Sequence, residues 1–377
     1  MNVNELKSLL SKFHIHPSKK LGQNFLLSDE AIEKIVNAAD LEDTDTVLEI
    51  GPGLGVLTQK LGENAGLVLA VEKDRKIYSV LRRMFKNKKN VKIINDDALF
   101  FDPQTVIASA TKRGNPSEIA STFAKATADR SEGTPRNDTK LNYKLIANIP
   151  YYITGKLLQN FLSPSYSPPR EGELEGVIVN NGSATSPNSG VPQNSTQFWG
   201  GSPSSRGGGA VRPSLMVLLL QKEVAERITA KPGDMSLLSV SVQFFADAEI
   251  ISYVSKEEFY PKPEVDSAVV RLRVLPRPRL EVDEKKFFQL VKIGFAGKRK
   301  QLQNNLRVLP SDPNLRMHPN DPNIRNIRME DSEHSDRYKQ LLSSLGLNPL
   351  ARAQDLSLED WHRLYKALID NQKPAGI

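Results

Sequence analysis

Short apolar segments alternate with segments of helical spacing along much of the chain, and this alternation limits the fold more than any other feature. The apolar segments predict strands at Thr46–Ile50, Leu67–Val71, Val91–Ile94, Tyr143–Ala147, Ser214–Leu220 and Ser267–Arg273. Strands that alternate with helices are typical of an α/β fold with a parallel, doubly wound sheet, which binds ligands at the carboxyl ends of its strands. We therefore predict a Rossmann-like sheet domain at residues 1–281.

The pattern becomes helical after Val282. Apolar residues with helical spacing predict helices at Lys285–Phe295, Arg299–Leu306 and Leu358–Ile369. We therefore predict that residues 282–377 form a small helical second domain.

Three segments, at residues 103–140, 163–213 and 308–338, interrupt these patterns. The second contains 30 Ser, Pro, Gly or Asn among its 51 residues, too few apolar groups to offset the entropy lost on ordering. Loops of this length are uncommon inside compact domains, so we interpret all three as insertions. The first two are expected to be disordered, although the first carries a predicted short helix at 118–128.

Composition excludes several classes of protein. The chain has no cysteine, so it can form neither disulfides nor a cysteine-based metal site, and we expect no metal. No apolar run reaches the ~18 residues of a membrane span, and we expect a cytoplasmic monomer without membrane association. The three predicted insertions together carry no net charge, so the formal charge of +7 lies on the remainder and favours an anionic partner.

Acidic side chains and glycines follow the first three predicted strands. Glu49–Gly55 is a glycine-rich turn that opens a helix, where the backbone can approach a ligand closely. Glu72 closes the second strand and can accept the hydroxyls of a ribose, and Asp97 can accept from an adenine amino group. A dinucleotide fingerprint would need Gly or Ala at Val56, so S-adenosylmethionine fits this pattern better.

Asn148-Ile-Pro-Tyr151 directly follows the fourth strand. The side-chain oxygen of Asn148 and the backbone carbonyl of Ile149 or Pro150 can accept hydrogen bonds from an exocyclic amine. The lone pair of an amine on an aromatic ring is delocalised, and such acceptors favour a pyramidal nitrogen aimed at the sulfonium methyl, so that alignment supplies most of the acceleration. A target base must leave its stack, and Tyr151 and Phe259 are the candidate aromatic faces for it.

Two basic clusters are candidate RNA-binding sites. Lys19 and Lys20 lie in the first, and Lys298, Arg299 and Lys300 in the second. Contacts from such side chains to phosphates would give a salt-dependent affinity, with specificity coming from the shape of the RNA.

The chain resembles the adenine N6,N6-dimethyltransferases that modify the ribosomal RNA of the small subunit. The resemblance rests mainly on the segments Lys19–Leu26, Glu49–Gly55, Asn148–Tyr152, Phe259–Leu272 and Phe295–Leu306. It implies dimethylation of two adjacent adenosines in a hairpin near the 3′ end of 16S rRNA, with the immature small subunit as partner. It also implies that S-adenosylmethionine is bound by Asn24, Leu26, Gly51, Glu72, Asp97 and Asn148, and that Asn148 and Pro150 position the target amine.

Two other functions remain open at this stage. One is a large-subunit rRNA adenine methyltransferase of the macrolide-resistance type, which shares the sheet and the Asn148 motif. Asp266–Leu272 and Lys298–Asn305 favour the small-subunit family instead. The other is a non-catalytic rRNA-binding assembly factor, against which the complete Asn148 motif and the cofactor acids argue.

Overall fold

The computed structural model describes residues 3–18, 22–100, 107, 142–150, 153–163, 212–297, 299–307, 309 and 331–369. The predicted insertions at 103–140 and 163–213 lie almost entirely outside these residues, and so does the predicted helix at 118–128. Lys19, Lys20, Tyr151 and Lys298 also lie outside them.

The described elements follow one another in this order: α1 Val3–Lys12, β1 Phe25–Leu26, α2 Asp29–Ala39, β2 Thr46–Ile50, α3 Val56–Asn64, β3 Leu67–Glu72, α4 Arg75–Met84, β4 Val91–Asn95, β5 Lys144–Asn148, α5 Thr154–Leu162, β6 Leu215–Gln221, α6 Lys222–Ile228, α7 Leu237–Gln243, β7 Ala246–Val254, β8 Phe259–Tyr260, β9 Ser267–Val274, α8 Glu284–Gly294, α9 Leu302–Leu306, α10 Asp331–Ser344 and α11 Leu358–Leu368. Short 3₁₀ turns lie at Lys256–Glu258 and Ala353–Asp355. None of these helices is long and apolar enough to cross a membrane.

A seven-stranded sheet with the order β4-β3-β2-β5-β6-β9-β7 is the centre of the first unit. The strands from β4 to β6 pair in parallel, as predicted; Leu48, for example, lies between Leu69 and Leu145. The parallel prediction is wrong for β9, which runs antiparallel to β6 and makes the sheet mixed. Strand β7 was not predicted. Most of its residues are half-buried, so they do not alternate between buried and exposed positions.

By their contacts the described residues divide into two compact units. The first comprises the described residues up to 225 together with 247–276, and the second comprises 226–246 and those from 277 onward. Residues 226–246 precede the predicted domain boundary at 281 and yet group with the helical unit. Their aromatic side chains explain this, since Phe244 stacks on Phe287 at 5.2 Å between ring centroids.

Helix α10 begins inside the segment predicted as the third insertion. Residues 331–338 form its first part, and Tyr338 is only 3% exposed. Helix α10 packs against α9 within the second unit. The end of that segment is therefore ordered, although its composition indicated no regular element.

Candidate active site

A cavity opens at the carboxyl ends of β2, β3 and β5 in the first unit. Each of the six residues implied to bind the cofactor lines it: Asn24, Leu26, Gly51, Glu72, Asp97 and Asn148. Pro150 lines it as well, and so does Glu49. Parallel strands present their carboxyl ends at one edge of the sheet, and this is why motifs far apart in sequence meet here.

The glycine turn after β2 brings the backbone against the Asn148 motif. Gly51 has a φ of +70°, and its N–H donates to the Val71 carbonyl at 3.0 Å. A Cβ at this position would lie 3.4 Å from the backbone oxygen of Asn148. Gly55 begins α3 with a φ of +82°, and a Cβ there would collide with Leu81 and Phe85. The turn therefore requires glycine for both its conformation and its packing.

Glu72 ends β3 and is 7% exposed. Its Oε1 accepts a hydrogen bond from the backbone N–H of Asp74 at 2.8 Å, which fixes the orientation of the carboxylate. Burial raises its pKa to about 7, and backbone donors, among them the N–H of Asp74, oppose that rise. A carboxylate held in this way at a strand end suits a pair of neighbouring hydroxyl groups.

Asp97 lies in the turn that follows β4. The backbone N–H of Leu99 donates to its Oδ1 at 3.0 Å, and Lys73 Nζ lies 2.7 Å from its Oδ2. Its side chain is 22% exposed, so it can still accept a further hydrogen bond from a ligand in the cavity.

Asn148 is the last residue of β5, and one end of its side-chain amide is hydrogen-bonded within the protein. Its Nδ2 donates to the backbone oxygen of Asn24 at 3.3 Å, which leaves the side-chain Oδ1 as an acceptor for a ligand. The carbonyl of Pro150 accepts from the N–H of Ile153 at 3.1 Å, just before α5. One lone pair of the Pro150 carbonyl is thus already used, and one remains.

The second candidate aromatic face does not reach the cavity. Phe259 is 4% exposed and does not line the cavity. It lies in β8, directly opposite Leu26 of β1. The structure therefore brings Asn148 and Pro150 to the cavity and places Phe259 in the core beside the cavity wall. Tyr151 lies outside the described residues.

The sequence predicted no ligand contact for Glu49, although Glu49 is the most buried acid of the site. It is 1% exposed, and its Oε2 has no hydrogen-bond partner among the described residues. Burial raises its pKa to about 8; the nearby Thr58 hydroxyl lowers this value and the charge of Glu72 raises it further. The signal was an acid between apolar residues of the strand Thr46–Ile50, at a position where burial requires either protonation or a charged partner.

These two raised pKa values predict how stability depends on pH. In the unfolded chain both carboxyls lose their proton near pH 4.5, whereas the folded protein keeps it up to about pH 7 at Glu72 and about pH 8 at Glu49. The folded state binds more protons in this range, so the free energy of unfolding should fall by several kcal/mol as pH rises from about 4.5 to 8.

Thermal unfolding without cofactor, between pH 5.5 and 8, tests this expectation. The Glu49→Gln variant should show a much flatter pH profile and should exceed the wild type in stability at pH 8. Glu63→Gln, an exposed acid on α3, is the matched control. Identical profiles for Glu49→Gln and the wild type would contradict the assignment.

The predicted RNA-binding residues are only partly described. Arg299 and Lys300 are exposed in the turn before α9, in the second unit. The backbone N–H of Lys300 donates to the Gly297 carbonyl at 3.0 Å. Helix α9 begins at Leu302, so these two side chains precede it, whereas the sequence predicted a helix from Arg299.

Proteins of known family match nearly the whole chain. The family model described as ribosomal RNA adenine dimethylase matches residues 15–340. A protein from Dehalococcoides mccartyi named ribosomal RNA small subunit methyltransferase A is 32% identical over 364 residues, covering 96% of this chain and 91% of the relative. A protein of the same name from Nostoc sp. is 33% identical over 359 residues, covering 94% of this chain and 98% of the relative.

Two solved structures share the fold. A dimethyladenosine transferase from Plasmodium falciparum superposes with a TM-score of 0.56 at 22% identity, covering 91% of this chain and 96% of that one. The 23S rRNA methyltransferase ErmE superposes with a TM-score of 0.54, also at 22% identity, covering 91% and 99%. The family match, the identity to the curated relatives and the α/β fold agree with one another, and the chain belongs to the ribosomal RNA adenine dimethylase family.

Proposed function

We propose that this protein transfers methyl groups from S-adenosylmethionine to N6 of two adjacent adenosines near the 3′ end of 16S rRNA, during assembly of the small subunit. The observation that carries the proposal is the cavity itself. It gathers the glycine turn, two acids at strand ends and the Asn148 amide at one edge of the sheet. The small-subunit relatives and the family membership support the same reaction.

The chemistry of the cavity suits S-adenosylmethionine. Glu72 offers acceptors to the ribose hydroxyls, and Asp97 offers one to the adenine amino group. Glu49 contributes a buried carboxyl oxygen without a partner in the described chain, which a cationic group of the ligand would satisfy. A cationic ligand favours the ionised form of these buried acids and an anionic one opposes it, so the positively charged S-adenosylmethionine suits the cavity better than the pyrophosphate of a dinucleotide.

The residues of this chain would act mainly by alignment. When bound, S-adenosylmethionine supplies an electrophilic methyl group. The Oδ1 of Asn148 and the free lone pair of the Pro150 carbonyl would accept the two N6 hydrogens and direct the nitrogen lone pair. The product proton can leave to water, so no dedicated base is required. Tyr151 remains the candidate face for the flipped base, and Phe259 could serve only after its side chain leaves the core.

Other parts of the proposal rest on the sequence. We assign RNA contacts to Lys19, Lys20, Lys298, Arg299 and Lys300, because clustered cations favour phosphate binding. We also propose that the protein is a cytoplasmic monomer whose partner is the immature small subunit.

Methyl transfer to immature small subunits, naked rRNA and mature particles tests the proposed function, with primer extension on both ribosomal RNAs. The expected result is modification of two adjacent adenosines in the small-subunit RNA alone. Modification of the large-subunit RNA would replace this proposal with the macrolide-resistance activity. RNA binding without methyl transfer, together with undetectable calorimetric binding of S-adenosylmethionine, would indicate a non-catalytic assembly factor.

A further inference from the structure

The segment from Lys73 to Lys92 carries nine Lys or Arg residues and one acid, Asp74. Six of these cations, all exposed on α4 or in the turn that follows it, are called here the α4 basic surface: Arg75, Lys76, Arg82, Arg83, Lys86 and Lys89. Positions seven apart lie two turns apart on one face of a helix. Arg82 and Arg83 therefore extend the face that Arg75 and Lys76 begin.

No acid in the described part of the chain forms an ion pair with the α4 basic surface. Other cations of the first unit do have acidic partners: Lys34 lies 2.6 Å from Glu30, and Lys144 lies 2.8 Å from Asp45. Like charges a turn apart also repel one another and cost a few tenths of a kcal/mol per pair. The surface is thus a concentration of uncompensated positive charge.

Helix stability does not explain this charge. Arg82 and Arg83 lie in the last turn, where the helix dipole favours cations. Arg75 and Lys76 lie in the first turn, where the same dipole disfavours them. Asp74 at the N-cap supplies the acid that stabilises this end of the helix, and the two cations beside it are left available to an external anion.

Helix α4 holds these side chains on a fixed support. Ile77, Val80 and Leu81 are buried on its opposite face. The Asp74 side chain caps its start by accepting from the backbone N–H groups of Lys76, at 2.8 Å, and Ile77, at 3.2 Å. The cations are therefore presented by a preformed helix, so little backbone entropy is lost on binding.

The surface starts at the cofactor cavity. Lys73 and Ile77 line the cavity, and the backbone N–H of Asp74 donates a hydrogen bond to the side chain of Glu72, which also lines it. Helix α4 begins at this point and extends about 15 Å away from it, at a rise of about 1.5 Å per residue. Anions bound along α4 would thus lie within about 15 Å of the cavity.

We propose that the α4 basic surface binds backbone phosphates of the RNA substrate outside the target nucleotide. The identity of the RNA rests on the proposed function. A membrane fits less well, because the apolar face of α4 is used by the protein core and cannot enter a bilayer. The surface is additional to the basic clusters around Lys19 and Lys298, and in contrast to them it is described in full.

The test compares two variants that each lose three positive charges. The first is Arg82→Gln with Arg83→Gln and Lys86→Gln, none of which lines the cavity. The control is Lys34→Gln with Lys60→Gln and Lys262→Gln, which are exposed and paired with acids in the same unit. Binding to a transcript of the 3′ segment of the small-subunit rRNA is measured at several salt concentrations.

The α4 variant should bind the transcript about tenfold or more weakly at about 0.1 M salt, and its log–log salt slope should be smaller by about 2. The control should lose less than threefold, and S-adenosylmethionine affinity should be unchanged in both. Equal RNA affinities and slopes in the two variants would overturn the proposal. So would normal RNA binding together with lost binding to phosphatidylserine vesicles, which would assign the surface to a membrane.

The same experiment separates this inference from the proposed function. RNA binding that depends on the α4 basic surface, in a protein without methyl transfer, would uphold the surface and reject the activity. Methyl transfer by the wild type, together with an unchanged salt slope in the α4 variant, would uphold the activity and reject the surface.

Discussion

The Asn148→Ala variant is expected to lose methyl transfer by about 10²–10³-fold, a loss comparable to that for removing one aligned hydrogen-bonding group from an active site. The Oδ1 of Asn148 is the side-chain acceptor at the strand end, and its Nδ2 is held by the backbone of Asn24 at 3.3 Å. Alanine removes the acceptor and releases that loop. RNA affinity should change little, because it comes from dispersed Lys and Arg contacts.

Single-turnover methyl transfer on small-subunit particles measures this effect. Asn64→Ala is the matched control, since it removes an exposed amide that donates to a backbone carbonyl far from the cavity. Asn148→Asp keeps an acceptor but loses the bond to Asn24, so an intermediate activity is expected. Near-normal turnover in Asn148→Ala would show that the amine is positioned by other groups.

The second large effect concerns cofactor affinity. Glu72→Ala and Asp97→Ala should each weaken binding of S-adenosylmethionine by about 1.5–3 kcal/mol, or roughly 10–150-fold, because each removes a charge-assisted hydrogen bond. The effect should be larger for Glu72, which is 7% exposed and oriented by the Asp74 N–H. Asp97 also pairs with Lys73 and is more exposed, so solvent weakens its contribution.

Calorimetric titration with S-adenosylmethionine measures both affinities. The Glu63→Ala variant controls for the loss of an exposed acid outside the cavity. Glu72→Gln keeps the shape and loses the charge, so it should retain part of the affinity. If both alanine variants bind the cofactor as the wild type does, these acids are not its ligands.

Local patterns predicted most of the first unit. Thr46–Ile50 is a strand with the predicted bounds, and β3 and β4 extend the predictions by one residue each. Apolar runs of this length, bounded by glycine or charged residues, are recognised because a buried strand needs consecutive apolar residues, and these are neighbours in the sequence. Glu72 and Asp97 followed from a topological rule, since an acid directly after a parallel strand lies at the ligand-binding edge, whereas Asn24 and Leu26 came only from the family resemblance.

Other features depend on contacts between distant segments. The antiparallel direction of β9 results from pairing that places Met216 opposite Leu272, and no local pattern encodes this direction. Residues 226–246 join the helical unit through the contact of Phe244 with Phe287. Phe259 looked like a free aromatic face in the sequence, yet its pairing opposite Leu26 keeps it in the core.

The sequence by itself determined the fold class and the family, and the family resemblance named six residues that line the cavity, because strand periodicity and sequence motifs are local properties. Only the tertiary structure decided the chemical state of those residues. It buried Glu49 with no partner for its Oε2 in the described chain, and this burial raises the pKa of the carboxyl to about 8. It also left the α4 cations without ion pairs among the described residues, since charge compensation depends on which distant side chains meet in space.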